Sequence, residues 1–256
     1  MKNKLKIGIF SFTSCEGCQI IMINSDELFG RISDLVDLTH LPIIQEHNQE
    51  GPYDAIFVEG AITYKQQIKT LKDLRKKTKY LIAFGTCATF GGVNAIRDYD
   101  KSFKEKKAYK DFSFLKNLDV KGIGSYVKVD YYLKGCPPVK EEFMKVITSL
   151  SEGELPEVYD KAVCVECREN KNPCLLALGK QCLGPVTCGG CDALCTSKGI
   201  ECYGCRGPVT KANIDNLVAL FEKRGLSEKM ICEMFMTFAG TSKRYKDFVR
   251  KVWQKQ

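Results

Sequence analysis

Apolar and polar positions over the first 150 residues follow two alternating periods. Lys6–Phe12 (KIGIFSF), Tyr53–Val58 (YDAIFV), Tyr80–Phe84 (YLIAF) and Val127–Leu133 (VKVDYYL) are short apolar runs rich in strand formers. Between them, Gln19–Arg31 carries Ile20, Ile23, Leu28 and Phe29 at helical spacing. Tyr64–Lys77 places Ile68, Leu71 and Leu74 on one side, and Val139–Leu150 reads as a further helix with Pro138 near its first turn. Strands alternating with helices predict an α/β fold with an open, mostly parallel sheet over residues 1–150.

Beyond Leu150 the pattern changes. Ser151–Tyr159 (SEGELPEVY) reads as a polar linker, and Lys161–Pro208 has little hydrophobic periodicity. Ala212–Gly225, Ser227–Gly240 and Ser242–Gln256 then read as three short amphipathic helices. The expected division is therefore one domain over residues 1–150 and a second over 151–256. No internal repeat or low-complexity tract is visible in the sequence.

Cysteine changes the picture more than any other residue type. The chain of 256 residues has 14 cysteines and only two histidines, His40 and His47. Met1–Lys6 (MKNKLK) leads straight into a strand pattern, with no apolar signal region, twin-arginine signal or long apolar span, so a cytoplasmic protein without a membrane anchor is expected. In that compartment thiols stay reduced, and metal ligation is the natural use for so many. Nine cysteines fall between Cys164 and Cys205, where a metal-stapled module would make up for a small core. Four others, Cys15, Cys18, Cys87 and Cys136, each follow a predicted strand, at the end where doubly wound sheets gather their ligands. Glu59-Gly60 ends another strand and should sit beside them.

The second segment reads CVECRENKNPC over Cys164–Cys174, then Cys182, then CGGCDALC over Cys188–Cys195, and closes on the pair Cys202 and Cys205. Such spacing suits either zinc or iron–sulfur clusters. Both histidines lie far from these cysteines, and the neighbouring glycines and prolines (Pro173, Gly184-Pro185, Gly189-Gly190, Gly204, Gly207-Pro208) permit turns that wrap a cluster and free backbone N–H groups for its sulfurs. Iron–sulfur chemistry is the favoured reading.

An ordered series of motifs points further. It comprises Thr13-Ser14-Cys15-Glu16-Gly17-Cys18, Val58-Glu59-Gly60, Gly85-Thr86-Cys87-Ala88, Gly91-Gly92, Gly135-Cys136-Pro137-Pro138, Cys164-x-x-Cys167-Arg168, Cys182-Leu183-Gly184-Pro185-Val186-Thr187 and Cys202-x-Gly-Cys205-Arg206-Gly207. In this order they resemble the small subunit of [NiFe] hydrogenases, of the soluble, NAD(P)-linked sulfhydrogenase type. The resemblance implies a flavodoxin-like first domain and a ferredoxin-like cysteine-rich domain with C-terminal helices. It implies three [4Fe-4S] clusters. Cys15, Cys18, Cys87 and Cys136 match the ligands of the proximal one. Cys164, Cys167, Cys174, Cys182, Cys191, Cys195, Cys202 and Cys205 match those of the medial and distal ones, with their division left open. Catalysis would belong to a separate large subunit, and this chain would relay electrons from it to a diaphorase or other iron–sulfur subunit.

Two cysteines remain. Cys188 falls where related subunits commonly carry arginine, within a Pro-Val-Thr-Arg-x-Gly-Cys run, and it is expected to be no ligand; Cys232 lies on an apolar helix face and is expected to pack in a core. The respiratory type of small subunit uses a His-x-x-Cys motif that is absent here, so both histidines are expected to be ordinary polar residues. Glu16 reads as a solvated or interface carboxylate and Glu59 as hydrogen-bonding support for the proximal site.

The formal charge of +8 invites a nucleic-acid reading. Twelve ligand thiolates would add roughly −12 and three cluster cores about +6, leaving a net charge near +2. The lysine-rich stretch Lys101–Lys110 is accordingly expected to be a solvated face, and no nucleic-acid partner is expected. Three rival assignments remain: a quinone-reductase subunit of the complex I type, a hydrogenase subunit linked to heterodisulfide reductase, and a zinc-binding nucleic-acid module.

Overall fold

Leu5–Ser11 (β1) carries the continuous buried run expected of a central parallel strand, Ile7, Gly8 and Ile9 all lying inside. It runs parallel to Val36–His40 (β2) on one side and to Tyr53–Glu59 (β3) on the other. Thr78–Phe84 (β5) follows β3, and Tyr131–Leu133 (β7) closes a five-stranded parallel sheet of order β2-β1-β3-β5-β7. That order is the flavodoxin-like form of the doubly wound sheet. Ile62–Tyr64 (β4) and Asn117–Lys121 (β6) form a separate antiparallel ribbon. The computed structural model describes residues 4–24, 26–99 and 117–253. The lysine-rich stretch Lys101–Lys110 lies outside them.

Helices cover both faces of the sheet. Lys65–Lys76 (α3) buries Leu71 and Leu74 against Ile56, Val58 and Leu81. Its start is closed by Gln67, whose side chain accepts hydrogen bonds from Thr63 N (2.8 Å) and Tyr64 N (3.3 Å), satisfying N–H groups that a helix leaves free. On the opposite face, Lys140–Ser151 (α5) buries Phe143 against Phe57 and Phe84, with ring centroids 5.0 and 5.5 Å apart. Such aromatic pairs contribute about 0.5–1.5 kcal/mol each beyond their buried area.

The single helix expected over Gln19–Arg31 is two, Gly17–Ile23 (α1) and Asp26–Leu35 (α2). Asn24 caps α1, its backbone N–H closing on Ile20 O. The strand expected over Val127–Leu133 is confined to its last three residues. Asp130 takes the ladder's place: its carboxylate accepts from Leu81 N (2.9 Å) and pairs with Arg75 (3.1 Å). Pro138 stands outside α5, before its cap at Val139.

Beyond α5, regular structure thins. Val163–Glu169 (α6) holds Cys164 and Cys167, and the chain to Pro208 is otherwise turns and short 3-10 segments. Ile214–Lys223 (α7), Glu228–Ala239 (α8) and Lys243–Trp253 (α9) follow, as the periodicity predicts. Asn213 caps α7 and Ser227 caps α8 by accepting from backbone N–H groups. These helices bury Phe221, Phe235 and Tyr245 together with Leu183 and Val186 of the cysteine-rich stretch. Gly85–Phe90 (α4), at the end of β5, packs on α8 and so ties the sheet to the C-terminal helices. Among the described residues, no helix is long and apolar enough to cross a membrane.

Candidate iron–sulfur sites

The parallel sheet delivers its strand ends to one edge. Cys15 and Cys18 follow β1, Glu59 ends β3, Cys87 sits in α4 after β5, and Cys136 follows β7. Cys15 and Cys136 are exposed, Cys87 is half-buried and Cys18 is buried. Cys18, Cys87 and Cys136 are each raised by other thiols of the group. Burial pushes Cys87 up to about 12, with Cys136 and Cys15 adding to it. Cys18 is pushed higher still, by burial and then by Glu59, Cys87 and Cys136. Four thiolates cannot coexist here without a compensating cation, which on binding would deprotonate them outright.

Small residues make the cradle. A Cβ on Gly85, whose φ is +88°, would stand 2.4 Å from Cys18 Sγ; one on Gly92 (φ +58°) would stand 2.5 Å from Cys87 Sγ. Glu59, only 1% exposed, accepts from Cys18 N (3.3 Å) and Gln19 Nε2 (3.1 Å). Burial raises its carboxyl above the ordinary range. Asn94 donates to Cys87 Sγ (3.7 Å) and to Thr13 O (3.3 Å). The Ser14 hydroxyl is buried beside Cys15 with no hydrogen-bond partner among the described residues. Glu16 takes a left-handed turn (φ 61°) and accepts from Ser11 Oγ at 3.0 Å. An all-thiol donor set, a cradle kept free of Cβ atoms and an unsatisfied hydroxyl fit an iron–sulfur cluster.

Seven of the eight thiols of the second half show two sets of neighbours. Cys164 is pushed up to about 11 by burial and then by Cys167, Cys182 and Cys174. Cys205 is raised by burial and by Cys195, and Cys191, at about 11, is raised by burial and Glu166 with Cys205 nearby. Cys202 stands between the groups: its N–H donates to Cys182 Sγ at 3.3 Å, and its thiol neighbours are Cys182 and Cys205. Among the described residues, no three His, Cys, Asp or Glu side chains close on one point as the ligands of a single metal ion do.

The leftover cysteines stand apart. Cys188 is buried and donates to Tyr159 O at 3.0 Å, and the charges nearest it are Lys134, Arg206, Asp160 and Glu142 rather than thiols. Cys232 is wholly buried against Met236 Sδ (3.6 Å) in the C-terminal core. His40 stacks on Phe10, with centroids 3.9 Å apart.

Several residues that shape these sites carry no advance signal beyond their nearness to a cysteine. Glu166, buried on α6, accepts from Ala193 N (2.9 Å) and from Gly190 N, and so folds the turn that presents Cys191. Arg206 is 3% exposed and forks onto Glu142, with both bonds at 2.8 Å; it also donates to Gly189 O (2.6 Å) and Lys134 O (2.5 Å). Thr196 meets Cys167 Sγ at 2.9 Å.

The NADH ubiquinone oxidoreductase 20 kDa subunit family matches residues 15–150, the half that holds the strand-end cysteines. Sulfhydrogenase 2 subunit delta of Pyrococcus furiosus is 33% identical over 92% of this chain and 99% of its own length. A chain of the F420-non-reducing hydrogenase vhu of Methanocaldococcus jannaschii is 30% identical over 84% of this chain and 88% of its own. Among solved structures, a chain of an NAD+-reducing [NiFe]-hydrogenase superposes with a TM-score of 0.54 at 25% identity, covering 61% of this chain and 96% of that one. The Ni-Fe-Se hydrogenase of Desulfomicrobium baculatum shares the fold, with a TM-score of 0.59 at 17% identity over 86% of this chain and 99% of that one. The chain belongs to the NADH ubiquinone oxidoreductase 20 kDa subunit family, and within it is a [NiFe] hydrogenase small subunit.

Proposed function

We propose that this chain is the electron relay of a cytoplasmic [NiFe] hydrogenase, carrying electrons between a large subunit that holds the nickel–iron site and a further electron-accepting subunit. The observation that carries this reading is the gathering of thiols from separate strand ends, continued by two more thiol groups in the second half. Each group would hold one [4Fe-4S] cluster: Cys15, Cys18, Cys87 and Cys136 the proximal one, Cys191, Cys195, Cys202 and Cys205 the medial, and Cys164, Cys167, Cys174 and Cys182 the distal. When bound, the clusters supply one-electron chemistry; the protein supplies spacing, insulation and control of potential. Glu59 and Asn94 orient the first group, the Ser14 hydroxyl is left free to bond a cluster, and Glu166 with Thr196 orients the others. The second domain, residues 151–256, is then the ferredoxin-like module.

The extent of the matches bears on the acceptor. A subunit of an NAD-reducing hydrogenase from Cupriavidus necator aligns with only 59% of this chain, against 92% for the sulfhydrogenase subunit. A relay extended by the second half favours transfer into a further iron–sulfur subunit, whether a diaphorase or one linked to heterodisulfide reductase. The test is anaerobic purification of the native complex. About 12 iron atoms per chain, cluster signals in electron paramagnetic resonance on reduction and a co-purifying large subunit are expected. A colourless protein carrying zinc, or hydrogen uptake undetectable in the complex, would overturn the reading.

A further inference from the structure

The two halves of the chain meet where the first thiol group is nearest the second half. The turn Cys205-Arg206-Gly207 lies against α4 and against the loop after β7. Thr86 Oγ1, on α4, donates to Cys205 O, while Thr86 N donates to Gly135 O at 2.9 Å. Thr86 therefore bonds both to the residue before Cys136 and to Cys205 itself. Phe90, one turn further along α4, packs so closely on Gly207 (φ +70°) that a Cβ there would stand 2.4 Å from its ring. From the other side, Arg206 donates to Lys134 O at 2.5 Å and forks onto Glu142 of α5. Thr86 thus brings the loop that carries Cys136 and the turn that carries Cys205 together, and Cys205 is the thiol that most raises Cys136 after burial.

We propose that electrons pass between the first and second clusters across the Cys136–Cys205 contact, and that Thr86, which ligates nothing, is the positioning residue that holds this contact closed. The inference rests on the cluster assignment above. When bound, the clusters would supply the one-electron chemistry; in the chain itself no covalent bond forms or breaks and no proton moves. Of the groups that clasp the turn, the Thr86 hydroxyl is the one that grips the Cys205 backbone, and it is buried in packing that a valine would fill. Losing it frees Cys205 to drift from Cys136 while leaving all four thiols of each group in place.

The experiment uses the full-length holoprotein, purified anaerobically and reduced stepwise with dithionite, in four forms: wild type, Thr86→Val, Thr86→Ser and Thr89→Val. Thr89 lies on the same helix, but its hydroxyl bonds Gly85 O at 2.9 Å and does not reach the second half, so it controls for loss of helix stability. Iron and sulfide content and the spin–spin splitting between neighbouring reduced clusters are the readouts. Thr86→Val is expected to keep its iron and lose much of the splitting. Thr86→Ser, which restores the hydroxyl, and Thr89→Val are expected to match wild type. Wild-type splitting in Thr86→Val, or equal loss in Thr89→Val, would overturn the proposal. If Thr86→Val instead sheds iron, iron retained with full splitting in Thr86→Ser sustains the proposal and iron lost in both serine and valine forms overturns it. Failure of the cluster assignment itself would look different, since the wild-type protein would then show no cluster signals at all.

Discussion

Consider the replacement Glu142→Gln. The guanidinium of Arg206 is 3% exposed and the carboxylate of Glu142 is 13% exposed; they share two bonds of 2.8 Å between α5 and the second cysteine-rich turn. Gln is nearly isosteric, so little packing changes. The charge is lost, however, and one Arg206 N–H then faces an amide NH2 group instead of an acceptor. The carbonyls of Gly189 and Lys134 remain, but neither neutralises a buried cation. Breaking a buried pair from one side costs about 3–5 kcal/mol, against roughly 0.2–1 kcal/mol for an exposed pair. For a chain of this length each kcal/mol moves the unfolding midpoint by about 2–4 °C, so a drop of roughly 6–20 °C is expected. Thermal unfolding of the anaerobic holoprotein measures it. The double variant Glu142→Leu/Arg206→Met should be less destabilised than the sum of its single changes, because no charge is left stranded. A drop under about 2 °C for Glu142→Gln, or strict additivity in the double variant, would refute the claim that this pair clamps the two halves.

Other outcomes follow from single sites. Cys188→Ala should retain about 12 iron atoms with matching sulfide, because Cys188 bonds a backbone carbonyl and its thiol is shifted chiefly by burial, Lys134 and Arg206; loss of a cluster would overturn the ligand assignment. Gly85→Ala should lose about four irons, since a Cβ 2.4 Å from Cys18 Sγ displaces that thiol and φ +88° strains the backbone; wild-type iron content would contradict this. His40 should titrate below its usual 6.5 in an NMR titration, because burial against Phe10 disfavours the imidazolium. With the folded pKa depressed, the folded chain binds fewer protons than the unfolded one. Its stabilising share is thus complete above about pH 6.5 and is lost as pH falls through the folded value; an ordinary or raised His40 pKa would refute it.

Much of the sheet was legible because its buried strands are nearly continuous apolar runs, as parallel strands between helices must be. Tyr53–Glu59 and Thr78–Phe84 were found almost to the residue. β2 was missed because Val36–His40 (VDLTH) is an edge strand that follows α2 without a break, and its Asp37 dilutes the apolar signal. β4 and β6 are short, and their ribbon depends on pairing across more than fifty residues, which local periodicity cannot report. At Val127–Leu133 the composition favours a full strand, but the Asp130 side chain takes the bond to Leu81 N, and the ladder starts only at Tyr131.

The candidate ligand cysteines are read from the sequence on a different ground. Thiolates recruited to a metal centre need turn residues beside them, so Cys-x-x-Cys pairs and strand-end cysteines announce themselves locally. What joins the groups does not. Thr86 looks like any threonine inside a Gly-Thr-Cys turn, and Glu142 looks like one of two acidic residues in the first turn of a helix. Their roles arise because the order of strands in the sheet sets the loop after β7 beside the loop after β5, and the second half folds back over both. Sequence spacing thus reports which atoms can bind a cluster, whereas the distance between clusters is a tertiary quantity held by side chains that bind nothing. A relay works only at short, fixed separations. The residues most exposed to functional loss on substitution should therefore include Thr86, Glu142 and Arg206 as well as the ligands, and variants at these positions should separate cluster content from electron passage where ligand variants cannot.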